Sequence, residues 1–101
     1  MIVQGDVFLI RSYLPEGAQI RKKSSNGYVI AIGEATGHSH VIADEIELYE
    51  VDGTLYIRAE RETSMHHEEH APVYIPSGVW KVGIVREYDV FRPDHDHFVY
   101  D

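Results

Sequence analysis

The chain has no cysteine among its 101 residues. This absence excludes disulfide bonds, thiolate zinc sites and cysteine nucleophiles together. Histidine, aspartate and glutamate are therefore the strong metal ligands that the chain can offer. Redox chemistry, for the same reason, does not indicate the compartment in which the protein works.

Basic residues are few: 9 lysines and arginines stand against 17 aspartates and glutamates, which gives a formal net charge of -8. Such a field repels a phosphate backbone unless a local basic patch overrides it. The basic run Arg21, Lys22 and Lys23 adjoins the sequence SSNG and is typical of a solvated turn. We therefore expect no nucleic-acid partner.

Long apolar runs are also missing. The N-terminal stretch MIVQGDVFLI meets charges at Asp6 and Arg11, so it lacks the apolar core of a signal peptide and the length of a membrane span. Convincing helical periodicity is absent as well. We expect a cytoplasmic protein with no membrane association.

What remains is a pattern of short strands and turns. Runs rich in β-branched and aromatic residues are separated by Gly, Pro, Asn and Asp. These runs are VFLI, YVIAI, IELYEV, TLYIRA, PVYIP and VWKVGIV. Turns are predicted at Leu14-Pro15-Glu16-Gly17, at SSNG, and at Pro76-Ser77-Gly78. Residues 1–101 thus predict one all-β domain, a small barrel or sandwich of about seven or eight short antiparallel strands.

One hairpin can be predicted in register. Asp52-Gly53 is a favoured two-residue type I′ turn within the segment ELYEVDGTLYIRAE. The expected pairs on a core face are Leu48 with Ile57 and Ile46 with Ala59. The expected pairs on a solvent face are Glu47 with Arg58, an ion pair, and Tyr49 with Tyr56, an aromatic pair.

The seven histidines fall into three clusters, which are His38 and His40, then His66, His67 and His70, then His95 and His97. Side chains alternate along a strand, so His38 and His40 would project from the same face. Two imidazoles on one face can share a cation. The last pair lies near the C-terminus, and because chain ends fray we expect less from it as a source of ligands.

The second cluster, HHEEH, leaves two arrangements open. A continued strand would place His66, Glu68 and His70 on one face, whereas a turn would let His67 and His70 converge. Two histidines from each of the first two clusters, with or without a carboxylate, supply the nitrogen and oxygen donors of Zn, Fe, Mn, Ni or Co sites.

The sequence therefore predicts a divalent transition metal, one of Zn, Fe, Mn or Ni, bound by His38, His40, His67 and His70. A metal with an open coordination position activates water or dioxygen, and Glu68 or Glu69 would then be the catalytic proton acceptor. A small-molecule ligand is the partner that this hypothesis implies. The reaction stays open, but the patterns of a serine hydrolase and of a phosphate-binding loop are missing.

The HxH segment resembles the first motif of the cupin family of metal-binding β-barrels. His38-Ser39-His40 and Glu45 match its histidines and glutamate. Pro76-Ser77-Gly78 matches the second motif up to Lys81, which stands where cupins carry a histidine. The likeness runs over residues 33 to 81. It implies His38, His40 and Glu45 as ligands in a small barrel, with His67 or His70 replacing the missing histidine.

A broader pattern is similar to a family of small, functionally uncharacterised proteins from bacterial and phage genomes. The pattern comprises QGDV, GEATGHSH, HEEHAP, PSGVWKV and REY. This likeness implies no activity, but it groups His38, His40, His67 and His70 in one motif set.

The histidines also fit functions without a metal. In a non-catalytic interaction or structural module, such as a phage or mobile-element accessory subunit, they would form a polar surface or a homo-oligomer interface. In a pH-responsive binder, the HHEEH side chains would couple protonation to affinity between about pH 5 and 7. Convergence of the first two clusters in a pocket would favour metal chemistry, and splayed side chains would favour the module.

Overall fold

The computed structural model describes residues 1–32 and 38–85, and these residues form ten β-strands and no helix. The strands are β1 (Ile2–Gln4), β2 (Val7–Arg11), β3 (Gln19–Arg21), β4 (Tyr28–Ile32), β5 (Ser39–Ile42), β6 (Glu47–Val51), β7 (Thr54–Ala59), β8 (Thr63–Met65), β9 (Val73–Ile75) and β10 (Gly78–Ile84). The all-β prediction is confirmed. The strand number exceeds the expected seven or eight because β1, β3 and β8 have 3 residues each, too few to show alternation in the sequence.

Six strands form one sheet in the order β1-β2-β10-β7-β6-β3, and β4-β5 and β8-β9 form two small sheets. Every pairing is antiparallel. The large sheet ends at β1 on one side and at β3 on the other, so it does not close on itself. The barrel alternative is therefore wrong, and the likeness to cupin barrels does not extend to the sheet topology of the described residues.

The three sheets share one core. Val7 and Leu9 of β2 are fully buried, whereas the intervening Phe8 and the following Ile10 are not, as alternation along a strand requires. Strands of the small sheets contribute Ile42 and Met65, both at 0% exposure. All these buried side chains belong to one hydrophobic cluster. The open sheets therefore pack around a single apolar interior.

The β6-β7 hairpin has the predicted register, with Leu48 facing Ile57 and Tyr49 facing Tyr56. Asp52 and Gly53 both have positive φ, 50° and 81°, as a type I′ turn requires. The predicted ion pair is present, because Arg58 Nη1 lies 3.5 Å from Glu47 Oε1.

The prediction of a solvent-exposed face on this hairpin is wrong at Tyr56. Tyr56 is only 8% exposed, because β10 pairs with β7 and places Lys81 beside it. A neighbouring strand that is distant in sequence thus covers a side chain that the isolated hairpin would leave in solvent. On the core face, Ile46 and Ala59 are buried as predicted, although the pairing of β6 with β7 begins at Glu47.

The predicted turns are also present. Ser24 and Gly27 exchange backbone hydrogen bonds of 2.9 and 3.2 Å, the chain turns at Glu16-Gly17, and β9 and β10 are separate strands on either side of Pro76 and Ser77. Two residues of the basic run pair with carboxylates, Arg21 with Glu50 and Lys23 with Glu45. No helix in residues 1–32 or 38–85 could span a membrane.

We expect the core to be most sensitive at the centre of the large sheet. Ile57 is fully buried on β7, between β10 and β6, so Ile57→Ala should lower the free energy of unfolding by about 2–5 kcal/mol. Ile20→Ala is the matched control, since Ile20 is 62% exposed on the edge strand β3, and it should change stability by less than about 0.5 kcal/mol. Urea denaturation of both variants measures the difference, and equal losses would contradict this account of the core.

Candidate metal site

Strand β5, which contains His40 and is directly preceded by His38, lies beside the chain that follows β8. Val41 and His66 exchange backbone hydrogen bonds of 2.9 and 2.8 Å. An antiparallel bridge at this pair places His40 opposite His67 and His38 opposite Glu69. The side chains agree with this register, because the rings of His40 and His67 are 4.4 Å apart between centroids and His38 Nδ1 lies 3.5 Å from Glu69 Oε1.

The HHEEH segment bends after the bridge. Residues 68–70 form bends before β9 begins at Val73, and the rings of His67 and His70 come within 4.6 Å. His66 is exposed, and its Nε2 lies 3.1 Å from Ser64 Oγ. Of the two arrangements that the sequence left open, the structure therefore has the turn, in which His67 and His70 converge.

The four predicted metal ligands lie in one group, which we call the histidine cluster: His38, His40, His67 and His70. Its other centroid distances are 5.9 Å from His38 to His67 and 6.3 Å from His40 to His70. The cluster thus joins His40 of β5 and the preceding His38 to two residues of the segment between β8 and β9. The structure places His38 half-buried, His67 half-buried and His70 exposed.

His40 is the buried member, at 1% exposure. Its Nδ1 lies 2.9 Å from Gln4 Oε1, while Gln4 Nε2 donates to the carbonyl oxygens of Met65 and Ala71, each at 2.9 Å. The amide oxygen of Gln4 is therefore an acceptor directed at His40. His40 must donate through Nδ1–H, which in the neutral ring leaves a lone pair on Nε2.

Asp6 faces that lone pair. Asp6 Oδ1 lies 3.3 Å from His40 Nε2. Burial and the neighbouring imidazoles of His67 and His70 lower the pKa of His40, although Asp6 opposes this shift. At neutral pH the neutral ring is thus favoured. The lone pair of the buried His40 Nε2 then faces a carboxylate oxygen of the half-exposed Asp6.

The distance of 3.3 Å between His40 Nε2 and Asp6 Oδ1 equals the usual separation of two donor atoms bound to one metal ion. Two donor atoms on a tetrahedral zinc ion are about 3.3 Å apart, and the centroids of two imidazoles bound there are about 5 Å apart, because Zn–N bonds are about 2.0–2.1 Å long. The His40–His67 and His67–His70 distances are slightly shorter, and the His40–His70 distance of 6.3 Å is about 1 Å longer. Within residues 1–32 and 38–85, no group of three or more His, Asp or Glu side chains is already arranged to hold an ion.

The hydrogen bond of His67 is one reason why the rings are not already arranged to hold an ion. His67 Nδ1 accepts a hydrogen bond of 3.0 Å from the backbone N–H of Glu69, so the neutral ring carries its proton on Nε2. The ring lies between those of His40 and His70, which are nearly parallel at 12°. For His67 to coordinate an ion, it must give up this hydrogen bond, because coordination through Nδ1 uses the accepting lone pair and coordination through Nε2 moves the proton to Nδ1.

The two carboxylates predicted as proton acceptors have different surroundings. Glu69 contacts His38, as described above, whereas Glu68 lines an open depression together with His66 and His67. The remaining residues around this depression are Asn26, Val29, Ser39 and Val41. Glu69 is therefore the one with a contact to the histidine cluster, and the catalytic role of both residues stays a prediction.

The ligand set implied by the cupin likeness does not assemble. The two carboxylate oxygens of Glu45 accept hydrogen bonds from Tyr28 Oη at 2.9 Å and Lys23 Nζ at 3.3 Å instead of meeting a histidine. Lys81, in the second motif, lies on β10 opposite Ile10 and Tyr56. His95 and His97 lie outside the described residues, and so do Gly33 and Gly37 beside the HxH segment.

Sequence reasoning missed the contribution of Gln4-Gly5-Asp6. This segment contains the two-residue turn between β1 and β2, in which Gln4 pairs with Val7 and Gly5 has a φ of 59°. A Cβ on Gly5 would lie 2.6 Å from His70 Nε2. Gly5 therefore serves both the turn and the close approach of the His70 ring, and a glycine-aspartate pair between two apolar runs was the signal available in the sequence.

We expect Gly5→Ala to move the histidine cluster. Alanine at a positive φ costs about 1–2 kcal/mol of stability, and here the new methyl group also meets the His70 ring. Gly53→Ala is the matched control, because Gly53 has a φ of 81° in another two-residue turn and an added Cβ there would have nothing within 4 Å. Both variants should lose stability in urea, but only Gly5→Ala should shift the ring NMR signals of His67 and His70; a similar shift in Gly53→Ala would contradict the contact.

We also expect Glu45 to contribute to acid sensitivity. The hydrogen bond from Tyr28 and then Lys23 lower the pKa of Glu45 below its ordinary value of 4.5. The charged form is therefore favoured in the folded state, so its contribution is present above pH 4.5 and is lost as the pH falls through the lowered pKa. The loss of unfolding free energy between about pH 7 and about pH 3 should be smaller in Glu45→Gln and in Tyr28→Phe than in the wild type. An unchanged loss in both variants would show that this contact does not stabilise the fold.

Comparison with known proteins adds one finding. No curated protein and no solved structure matches the chain, and no cupin or metal-binding family model matches it. A family model described as Domain of unknown function (DUF8820) matches residues 3–85, which include Gln4, Asp6 and all four members of the histidine cluster. The chain therefore belongs to the family of that domain, DUF8820.

Proposed function

We propose that this protein binds one divalent transition metal ion, Zn, Fe, Mn or Ni, through the histidine cluster, with Asp6 as a further ligand. The observation that carries the proposal is the approach of Asp6 Oδ1 to His40 Nε2 at 3.3 Å. The four histidines were expected from the sequence, and Asp6 is added from its position.

The His40–Asp6 contact needs a positive charge between its two atoms. With Nδ1–H donated to Gln4, His40 Nε2 and the carboxylate oxygen are both acceptors, and a buried acceptor facing a half-exposed carboxylate is repelled unless a proton or a cation joins the two. The lowered pKa of His40 disfavours the proton. A metal ion satisfies both atoms at once, and His40 with its Gln4 partner then has the usual form of a metal-binding histidine with an oriented second nitrogen.

The remaining histidines complete the coordination shell. His70 lies against the Gly5-Asp6 turn, the His67 ring lies between those of His40 and His70, and the His38 ring lies 5.9 Å from that of His67 between centroids. Binding requires His70 and His40 to approach by about 1 Å, if Zn–N bonds are to keep their usual length, and the exposed bend at residues 68–70 allows this more readily than the buried strand β5. Imidazole nitrogens with one carboxylate suit Zn, Fe, Mn and Ni, and the lack of thiolates disfavours Cu(I) and iron–sulfur clusters.

Catalysis is a second part of the same proposal. A bound ion with an open position supplies an activated water at neutral pH. Glu69 lies near the cluster beside His38 and Glu68 lines the adjoining depression, so both are within the region where a proton acceptor is needed. We propose Glu69 for this role before Glu68, because Glu69 has the direct contact.

The test is metal binding by the full chain, purified without chelator and then titrated with Zn, Fe, Mn and Ni. The wild type should bind one equivalent of at least one of these ions, and His40→Ala should weaken binding by about 100-fold or more, while Asp6→Asn should weaken it by about 10–100-fold. Elemental analysis and calorimetric titration give stoichiometry and affinity, and a melting temperature that rises with metal concentration is an independent readout.

His66→Ala is the matched control, because His66 belongs to the same HHEEH segment but contacts Ser64. It should bind metal as the wild type does. A wild type that binds none of the four ions would sink the proposal and leave the non-catalytic interaction module as the better account of the histidines. If His66→Ala weakened metal binding as much as His40→Ala does, binding would depend on the number of histidines and not on the histidine cluster.

A further inference from the structure

Gln4 has a buried side chain amide that reaches three separate parts of the chain. Gln4 is the last residue of β1 and is only 3% exposed. Its Nε2 donates to the carbonyl oxygens of Met65 and Ala71, and its Oε1 accepts from His40. Both hydrogens of the amide nitrogen and one lone pair of the oxygen are therefore used.

The two carbonyl groups bracket the HHEEH segment. Met65 directly precedes residues 66–70, and Ala71 directly follows them. One amide nitrogen thus holds the two ends of the segment together, at 2.9 Å from each carbonyl oxygen. The same side chain that fixes the ring of His40 also fixes where the bend carrying His67 and His70 starts and ends.

The orientation of the amide is determined by these partners. A carbonyl oxygen accepts hydrogen bonds only, so the side of Gln4 that faces Met65 and Ala71 must be the nitrogen. Its oxygen then faces His40, and His40 holds its proton on Nδ1. Glutamate would keep the acceptor but lose both donated bonds when ionised, and methionine would keep the approximate volume but lose all three.

We propose that Gln4 is the positioning residue of the metal site: it sets the Nδ1–H tautomer of His40 and holds the HHEEH segment closed before any ion arrives. The part of this inference that concerns affinity rests on the proposed function. The part that concerns the tautomer does not, because it is a property of the metal-free protein. Groups of this kind behind a metal ligand typically change affinity by about 10–100-fold.

The first measurement uses the wild-type full chain without metal, at a pH where its histidines are neutral. Nitrogen-15 NMR of the imidazole rings distinguishes a protonated from an unprotonated ring nitrogen, and we expect His40 to carry its proton on Nδ1. This readout reports the direction of the Gln4 amide, which a merely space-filling role would not determine. A proton on Nε2 of His40 would overturn the proposal whatever the protein binds.

The second measurement compares variants. Gln4→Met should abolish the preference for the Nδ1–H tautomer and weaken binding of the metal identified for the wild type by about 10–100-fold. Gln4→Glu should restore the tautomer, because the carboxylate still accepts from Nδ1–H, but it should leave the ends of the HHEEH segment less protected from amide hydrogen exchange. Gln19→Met is the matched control, since Gln19 is exposed on β3, and it should behave as the wild type in each measurement.

The outcomes separate this inference from the proposed function. A wild type without metal affinity removes the metal site, yet the tautomer and hydrogen-exchange results still decide the role of Gln4. A folded Gln4→Met variant with wild-type affinity and an unchanged tautomer overturns the role of Gln4 and leaves the metal site standing. If Gln4→Met does not fold, the wild-type tautomer and the Gln4→Glu variant decide the question.

Discussion

The buried imidazole of His40 is the constraint on which the arrangement of this protein depends. A polar ring in an apolar interior costs about 2–7 kcal/mol of free energy for each polar group that finds no partner. His40 is 1% exposed, on the strand that also contributes the fully buried Ile42. Its partners come from β1 and from the β1-β2 turn, so the N-terminal hairpin has to meet β5 and the chain beyond β8.

The histidine cluster combines a rigid part, His40 in strand β5, with a more adaptable part, His67 and His70 in the segment between β8 and β9. His40 is set in a strand, with Nδ1 donating to Gln4 and Nε2 lying 3.3 Å from Asp6 Oδ1. His67 and His70 lie in a segment that is largely exposed, and the His67 ring is tilted by 41° against that of His40 and by 42° against that of His70. In the proposed metal site, one ligand would be preset and the others would close on the cation, so part of the binding free energy would be used to order the segment.

The net charge of the chain is consistent with the proposed binding of a cation. A protein with a formal net charge of -8 attracts cations to its surface. In the proposed site, imidazole nitrogens would select among the attracted cations, because they favour transition metals over calcium and magnesium, which prefer oxygen donors. Asp6 and Glu69 supply carboxylates next to the rings without surrounding them, so the site differs from the oxygen-rich cages of the hard cations.

Local features of the fold were predictable from the sequence, and distant pairings were not. The Asp52-Gly53 turn fixes its own register, and the alternation in HxH places His38 and His40 on one face, because both depend on neighbouring residues. The burial of Tyr56 by β10 and the open order of the six strands depend on contacts between distant segments, which local patterns do not contain. Gln4 and Asp6 were missed for the same reason, since an amide and a carboxylate near the N-terminus carry no sign of a histidine that is far away along the chain.

The bracketing of the HHEEH segment has a consequence for how the sequence can vary. Surface segments between strands usually accept insertions and deletions readily. Here the start and the end of the segment are fixed by hydrogen bonds to one side chain, so an added or lost residue would break one of those bonds or displace a histidine. Related chains should therefore differ in this segment by substitution and keep its length, whereas the turn at Glu16-Gly17, where a Cβ added to the glycine would have nothing within 4 Å, is open to changes in length.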